Sequence, residues 1–326
     1  MANHNLPACG SFFKGELYQR MQDDLHLAGM AQRTIHGYLR SVRQLADFCR
    51  QSPDQISEQQ VRQWLIHLKV DRQYAYGSLR VAFSGIKFFY TRTVRRDWKV
   101  LSQTKLQNVK ALPEVLTRDQ VHQIIDACTS LRMATFFWTV YSLGLRIEEG
   151  LNLQVGDIDS QRMMVHIHRG KGAKDRFVPL PTPTLGRLRD YWKTHRNPRL
   201  LFPATNRSRH ASDDRTAHAT ATATTVMSVT SVQRAIKLIA EQLNFGKKVS
   251  THTLRHCYAS QLLERGGSLK AIQKLLGHSS LQTTMVYLHL TETAEANTRT
   301  LIEQLFVRPP LGGGSPGNQR SRRKPK

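Results

Sequence analysis

The feature that most constrains this chain is the run Met133–Leu145, which holds no charged side chain and ends directly on Arg146. As a helix it would rise about 1.5 Å per residue, roughly 20 Å in all, well short of the ~30 Å hydrocarbon core of a bilayer. Thr135, Thr139 and Ser142 interrupt it further. It therefore reads as a helix buried in a globular core. An arginine at the end of such a helix is costly unless it is paired or binds an anion. Two readings stand: an internal ion pair with Glu148 or Glu149, or an anion site. With 326 residues, 40% of them hydrophobic, the chain can build one large domain or two modest ones.

Lys and Arg number 48 against 24 Asp and Glu, a formal charge of +24. The surplus is spread over residues 1–110, over 111–308 and over the last eighteen, which carry five basic side chains and no acidic one. A chain so charged is drawn to polyanions, although a merely soluble basic surface would look the same. No helix presents a dedicated Lys/Arg face, which favours nucleic acid over a membrane. The four cysteines, Cys9, Cys49, Cys128 and Cys257, form no CxxC pair, which argues against a disulfide framework or a zinc ribbon. The first residues lack an apolar run of signal-peptide length, so a cytoplasmic location is expected.

Helical spacing predicts four helices in the first hundred residues. One lies around Glu16–Ala28; one is capped by Thr34 and carries Ile35, Leu39, Val42 and Ala46. A third is opened by the Ser57/Gln60 capping box, and Ser78 opens the fourth. The polar stretch from Trp98 to Pro113 reads as a linker. Thr117 and Gln120 form a second capping box, followed by the apolar helix. Three short strands are expected at Leu153–Asp157, Met163–His168 and Phe177–Leu180, the last two as a hairpin around a charged glycine turn. Residues 205–225 look like a flexible insertion. Helices are expected at Val232–Leu243, Thr253–Arg265, Leu269–Leu276 and about Ala294–Phe306. The predicted fold is mainly α with a small antiparallel sheet (α+β). Its parts are a helical module over 1–110 with a linker to about 113, a second domain over 114–308, and a disordered basic tail over 309–326.

Four fragments carry candidate chemistry: Gly144-Leu-Arg146-Ile-Glu-Glu149; Gly170-Lys171-Gly172; His252-Thr-Leu-Arg255-His256; and Gly277-His278 with Tyr287 nine residues on. Each has an ordinary reading. Arg146 can be ion-paired, Lys171 solvated, His278 a helix cap and Tyr287 a core aromatic. His252 and His256 stand four apart, as zinc ligands on a helix do, but Thr253 occupies the place of the HExxH glutamate. Arg255 beside them suits an oxyanion better.

Together the fragments resemble the tyrosine recombinase (phage integrase) family, and its Xer-like and integron-integrase-like bacterial members in particular, over about residues 16–306. The resemblance implies a helical DNA-binding N-terminal domain and a catalytic domain whose site residues are Arg146, Lys171, His252, Arg255, His278 and Tyr287. It implies attack by Tyr287 on a DNA phosphodiester to give a 3′-phosphotyrosyl bond. Arg146, Arg255 and His278 would stabilise the transition state, Lys171 would protonate the leaving oxygen and His252 would handle the tyrosine proton. Glu149 and His256 would support their helices. No cofactor, ATP or metal is implied, and neither a membrane nor a small-molecule substrate. The partners implied are double-stranded recombination sites of a mobile genetic element, and a homotetramer joined through the helix after Tyr287. The 81 residues from Lys171 to His252 exceed what compact members need. They fall short of what integron integrases use, which argues against a folded single-stranded substrate. A topoisomerase IB-like enzyme and a non-catalytic DNA-binding protein using the same phosphate pocket are the alternatives.

Overall fold

A computed structural model describes residues 12–104, 106–107, 114–168, 175–205 and 219–290. The chain divides into two compact units, Met1–Lys110 and Ala111–Lys326.

The first unit is helical: α1 (Glu16–Leu27), α2 (Gln32–Cys49), α3 (Glu58–Val70), α4 (Tyr76–Phe88) and the short α5 (Lys99–Gln103). The stripe Ile35, Leu39, Val42, Leu45 and Ala46 of α2 is buried, as are Leu79, Ala82 and Ile86 of α4, as a helical period requires. Ser57 accepts the Gln60 N–H at 3.3 Å while the Gln60 side chain accepts the Ser57 N–H at 2.9 Å, the expected capping box. Thr34 and Ser78 do not cap. The Thr34 N–H already bonds the Ala31 carbonyl at 2.8 Å, so the helix begins three residues before the expected start, and α4 likewise starts after Ala75. The stretch from Trp98 is not all linker either. Trp98 packs against Tyr90, Glu58 holds the Val100 N–H at 2.6 Å, and Leu101 is buried.

The second unit contains α6 (Arg118–Asp126), α7 (Leu131–Ser142), α8 (Ile147–Leu151), β1 (Ile158–Asp159), β2 (Met164–Ile167), β3 (Arg176–Pro179) and α9 (Thr182–His195). It continues through α10 (Val229–Gln242), α11 (Thr251–Glu264), α12 (Leu269–Leu276), α13 (Leu281–Met285) and a 3-10 turn, Val286–Leu290. The apolar run becomes α7, whose Phe136, Phe137 and Val140 sit in one core with Val121, Ile124 and Leu254. The strands form an antiparallel sheet in the order β1-β2-β3. Val165 and Ile167 face that core, and β3 sets Val178 and Arg176 opposite them.

Two expectations change. Leu153–Asp157 is not a strand: Gln154 forms a lone bridge to Leu200, and the Asp157 carboxylate accepts the Gln154 N–H at 2.8 Å, curling Val155–Asp157 into a 3-10 turn. Helix α9 was not among the expected elements, and it starts on Pro181 and Pro183. Proline in a first helical turn sacrifices no intrahelical bond, and Leu185, Leu188 and Tyr191 form its buried stripe. Part of the 205–225 insertion, the helix near 294–306 and the tail lie outside the described residues. No described helix is long and apolar enough to cross a membrane.

Candidate active site

The site forms where four chain segments meet around Glu149. Helix α7 ends at Ser142 with Leu143 as its cap, and Gly144 then turns the chain with φ +62. A Cβ at Gly144 would lie 2.5 Å from the Tyr258 ring, so both the positive φ and the close approach require glycine. Its carbonyl accepts Arg255 Nη1 at 2.7 Å. Arg146 precedes α8, and Glu149 reaches back to accept the Arg146 N–H at 2.8 Å and its Nη1 at 2.7 Å. The ion-pair reading of Arg146 is therefore correct for Glu149. It does not exhaust that arginine, whose side chain is 22% exposed.

Glu149 serves more than Arg146. Arg176, from β3, grips both of its oxygens at 2.9 and 2.7 Å and bonds the Leu275 carbonyl at 2.8 Å. Arg255 lies 3.6 Å from the same carboxylate. Burial opposes ionisation of Glu149, but the hydrogen bonds and charge of Arg176, followed by those of Arg146, hold its pKa down at about 2. One anion facing three guanidinium groups leaves two positive charges uncompensated, a fit for a phosphate diester gaining charge in its transition state.

Arg255 is 3% exposed, and its Nη2 donates to the Leu276 carbonyl at 2.6 Å. Burial and then the nearby Arg146 lower its pKa to about 10, so it stays charged near neutrality. The Leu276 carbonyl ends α12, which Gly277 terminates in the left-handed region at φ +63. The Gly277 carbonyl in turn accepts Arg146 Nη2 at 3.3 Å. The Gly144 turn and the end of α12 thus clamp both arginines through backbone carbonyls.

His278 follows. Its Nδ1 lies 2.9 Å from the Thr284 hydroxyl, and its pKa falls to about 4 through burial and the charges of Arg255 and Arg146. Tyr287, in the 3-10 turn, is 1% exposed. Its hydroxyl lies 2.9 Å from His256 Nδ1, and its ring is nearly parallel to that of His278 with centroids 6.4 Å apart. Burial raises the Tyr287 pKa, and Arg255 and Arg146 pull it back. Burial, helped by the fields of His252 and Arg255, holds the His256 pKa near 4. His256 is therefore neutral, and its Nδ1 is placed to share a hydrogen bond with the phenol.

Of the six residues singled out in the sequence, Arg146, Arg255, His278 and Tyr287 come together. His252 sits at the exposed edge of the first turn of α11, its pKa lowered by desolvation and by Arg255 and Arg146. Lys171 lies outside the described residues. His256, expected only to support its helix, is the histidine that touches Tyr287. Arg176 was missed altogether. Its signal was a charged residue in phase with Val178 and Leu180 on the inward side of a strand.

The phage integrase family model matches residues 114–294, and the N-terminal SAM-like domain of phage integrases matches 17–100. The chain belongs to the phage integrase family and is a tyrosine recombinase. It is 33% identical over 290 residues, 89% of either chain, to y4qK of Sinorhizobium fredii, described as an integrase/recombinase. It is 29% identical to tyrosine recombinase XerD of Staphylococcus epidermidis, over 81% of this chain and 90% of that one. Among solved structures, its fold is similar to that of the Tn1549 transposon integrase in complex with a circular intermediate DNA. There the TM-score is 0.65 at 15% identity, over 88% of this recombinase and 99% of that chain. XerH bound to palindromic difH substrate gives a TM-score of 0.59 at 17% identity, covering 90% and 91%.

Proposed function

We propose that this recombinase cuts and rejoins double-stranded DNA at specific sites through a transient phosphotyrosyl bond at Tyr287. The observation that carries this reading is the convergence of Arg146 and Arg255 on one buried carboxylate, close enough to Tyr287 that both arginines pull its raised pKa back down. The Tyr287 oxygen attacks the scissile phosphorus, its proton passes to His256 or His252, and the bond to the 5′ oxygen breaks. That oxygen takes a proton from Lys171, and the 3′ phosphate remains on the tyrosine. Religation reverses each transfer, and the covalent bond conserves the energy. Forked arginines suit two non-bridging oxygens at once, and His278 adds a third donor.

Tyr287 starts buried on His256, so cleavage begins with the 3-10 turn moving to bring the hydroxyl to the phosphorus. The Tn1549 integrase and XerH structures hold a circular intermediate DNA and a palindromic difH substrate. By analogy we assign this chain the same class of partner, in a homotetramer on two sites, within the cytoplasm and in the service of a mobile element. Residues 1–110 would then be the core-DNA-binding domain and 114–308 the catalytic domain.

The test uses a nicked duplex carrying a site selected from random sequence by binding. The native chain should form an SDS-resistant adduct and exchange strands between two duplexes. Tyr287→Phe should bind equally and form none. Relaxation of supercoils without strand exchange would favour the topoisomerase-like alternative, and binding without any adduct would favour a non-catalytic protein.

A further inference from the structure

The outer face of the sheet carries a cluster that the recombination chemistry does not use. His166 and His168 alternate along β2 and its end, so both project away from the core that takes Val165 and Ile167. Asp157, from the 3-10 turn before β1, meets them there. One ligand-competent atom from each of Asp157, His166 and His168 lies within 4.8 Å of the others. Asp175, just before β3, lies against this group from the neighbouring strand. Its Oδ2 is 3.2 Å from His166 Nε2 and 3.5 Å from His168 Nδ1.

The cluster is held in place. Asp157 is 7% exposed; one of its oxygens accepts the Gln154 N–H at 2.8 Å, and the other points at His168 Nε2 from 2.6 Å. The His166 ring lies flat on Phe177, with centroids 4.6 Å apart and planes 13° from parallel, which fixes its rotation. The imidazole rings of His166 and His168 are 3.9 Å apart. Two ligands bound at about 2.0–2.1 Å to a tetrahedral ion stand about 3.3 Å from each other. The Asp157–His168 contact at 2.6 Å needs to open by less than about 1 Å, while Asp175, which faces the other ring nitrogen of His168, lies beside this set.

We infer that Asp157, His166 and His168 form a binding site for a divalent transition-metal ion, Zn²⁺ in the first instance. Two imidazoles and one carboxylate are a donor set for borderline cations, not for Mg²⁺ or Ca²⁺, which prefer oxygen alone. The ion would tie the turn before β1 to β2 and its end.

The test titrates the full-length, chelator-treated and reduced chain with Zn²⁺ by calorimetry, and with Co²⁺ by visible absorption. One tight equivalent is expected, with a Co²⁺ band typical of nitrogen and oxygen donors. A His166→Gln/His168→Gln double variant should lose it by about 100-fold or more, beyond the roughly 10–100-fold that an outer partner is worth. Asp175→Asn should weaken it less, and circular dichroism of each variant confirms folding. Binding unchanged in the folded double variant would place the ion elsewhere and overturn the assignment. So would a native chain that takes up no ion, leaving the cluster a set of His–Asp ion pairs.

Discussion

The two units bury different things. Among the described residues, the interior of Met1–Lys110 is almost wholly apolar: Trp64, Leu45, Phe89 and their neighbours surround only Ser41 and Thr93 as buried polar residues. Ala111–Lys326 also has an apolar core, but it buries Glu149 and Arg255 as well, with Arg176 beside them. A core of the first kind is stabilised by area removed from water. One of the second kind must also offset the desolvation of charge, and three arginines on one carboxylate do so only as a set. The first unit can therefore lose a side chain without consequence for chemistry, whereas the second has joined its folding to its catalytic field.

That contrast can be broken at its strongest point first. Arg146→Ala should lower the rate of adduct formation about 10²–10³-fold, as loss of one preorganised donor does, while a filter-binding assay shows DNA affinity little changed. Leu45→Ala in the first unit should leave the cleavage rate of folded protein untouched, yet cost about 2–5 kcal/mol in denaturant unfolding. Equal kinetic losses in the two variants would remove the distinction.

Glu149→Gln should destabilise the second unit by about 3–5 kcal/mol, since it strands buried guanidinium charge. The first unit should keep its hydrogen-exchange protection.

Acid sharpens the comparison. The His256 and His278 pKa values are depressed to about 4 from 6.5, so the unfolded chain binds their protons first and stability falls as pH drops from about 6.5 towards 4. Glu149, depressed from 4.5 to about 2, contributes stability that is full above its unfolded value and is lost as pH falls through that lower window. Exchange measured across pH should therefore open the second unit before the first. In His256→Ala/His278→Ala, the loss between pH 6.5 and 4 should shrink.

The smallest effects should be shared. Ser57→Ala and Thr117→Ala each remove one arm of a capping box and should cost about 1 kcal/mol in their respective units. Unequal losses would mean that the helix starts, and not only the cores, differ in weight.

Local rules made part of this legible. Both capping boxes, the hairpin and α12 could be read because a cap, an alternation or a terminal glycine announces itself within a few residues. Thr34, Ser78 and the strand expected at Leu153–Asp157 misled because backbone bonding to Ala31, Ala75 and Gln154 overrode their propensity. Arg146, Arg255, His278 and Tyr287 were legible as motif fragments, since spacing survives in sequence. Arg176 and the His256–Tyr287 contact were not. They join residues 27 and 31 positions apart, and only the packing of β3 and the 3-10 turn brings them to their partners.

The central claim is that the Tyr287 oxygen becomes bonded to DNA phosphorus under the charge of Arg146 and Arg255. Digesting the trapped adduct with protease and nuclease, then sequencing the modified peptide by mass spectrometry, tests it most directly. The account predicts a 3′-linked nucleotide on the peptide containing Tyr287 and none in Tyr287→Phe. A nucleotide on any other side chain, or an adduct persisting in that variant, would contradict it.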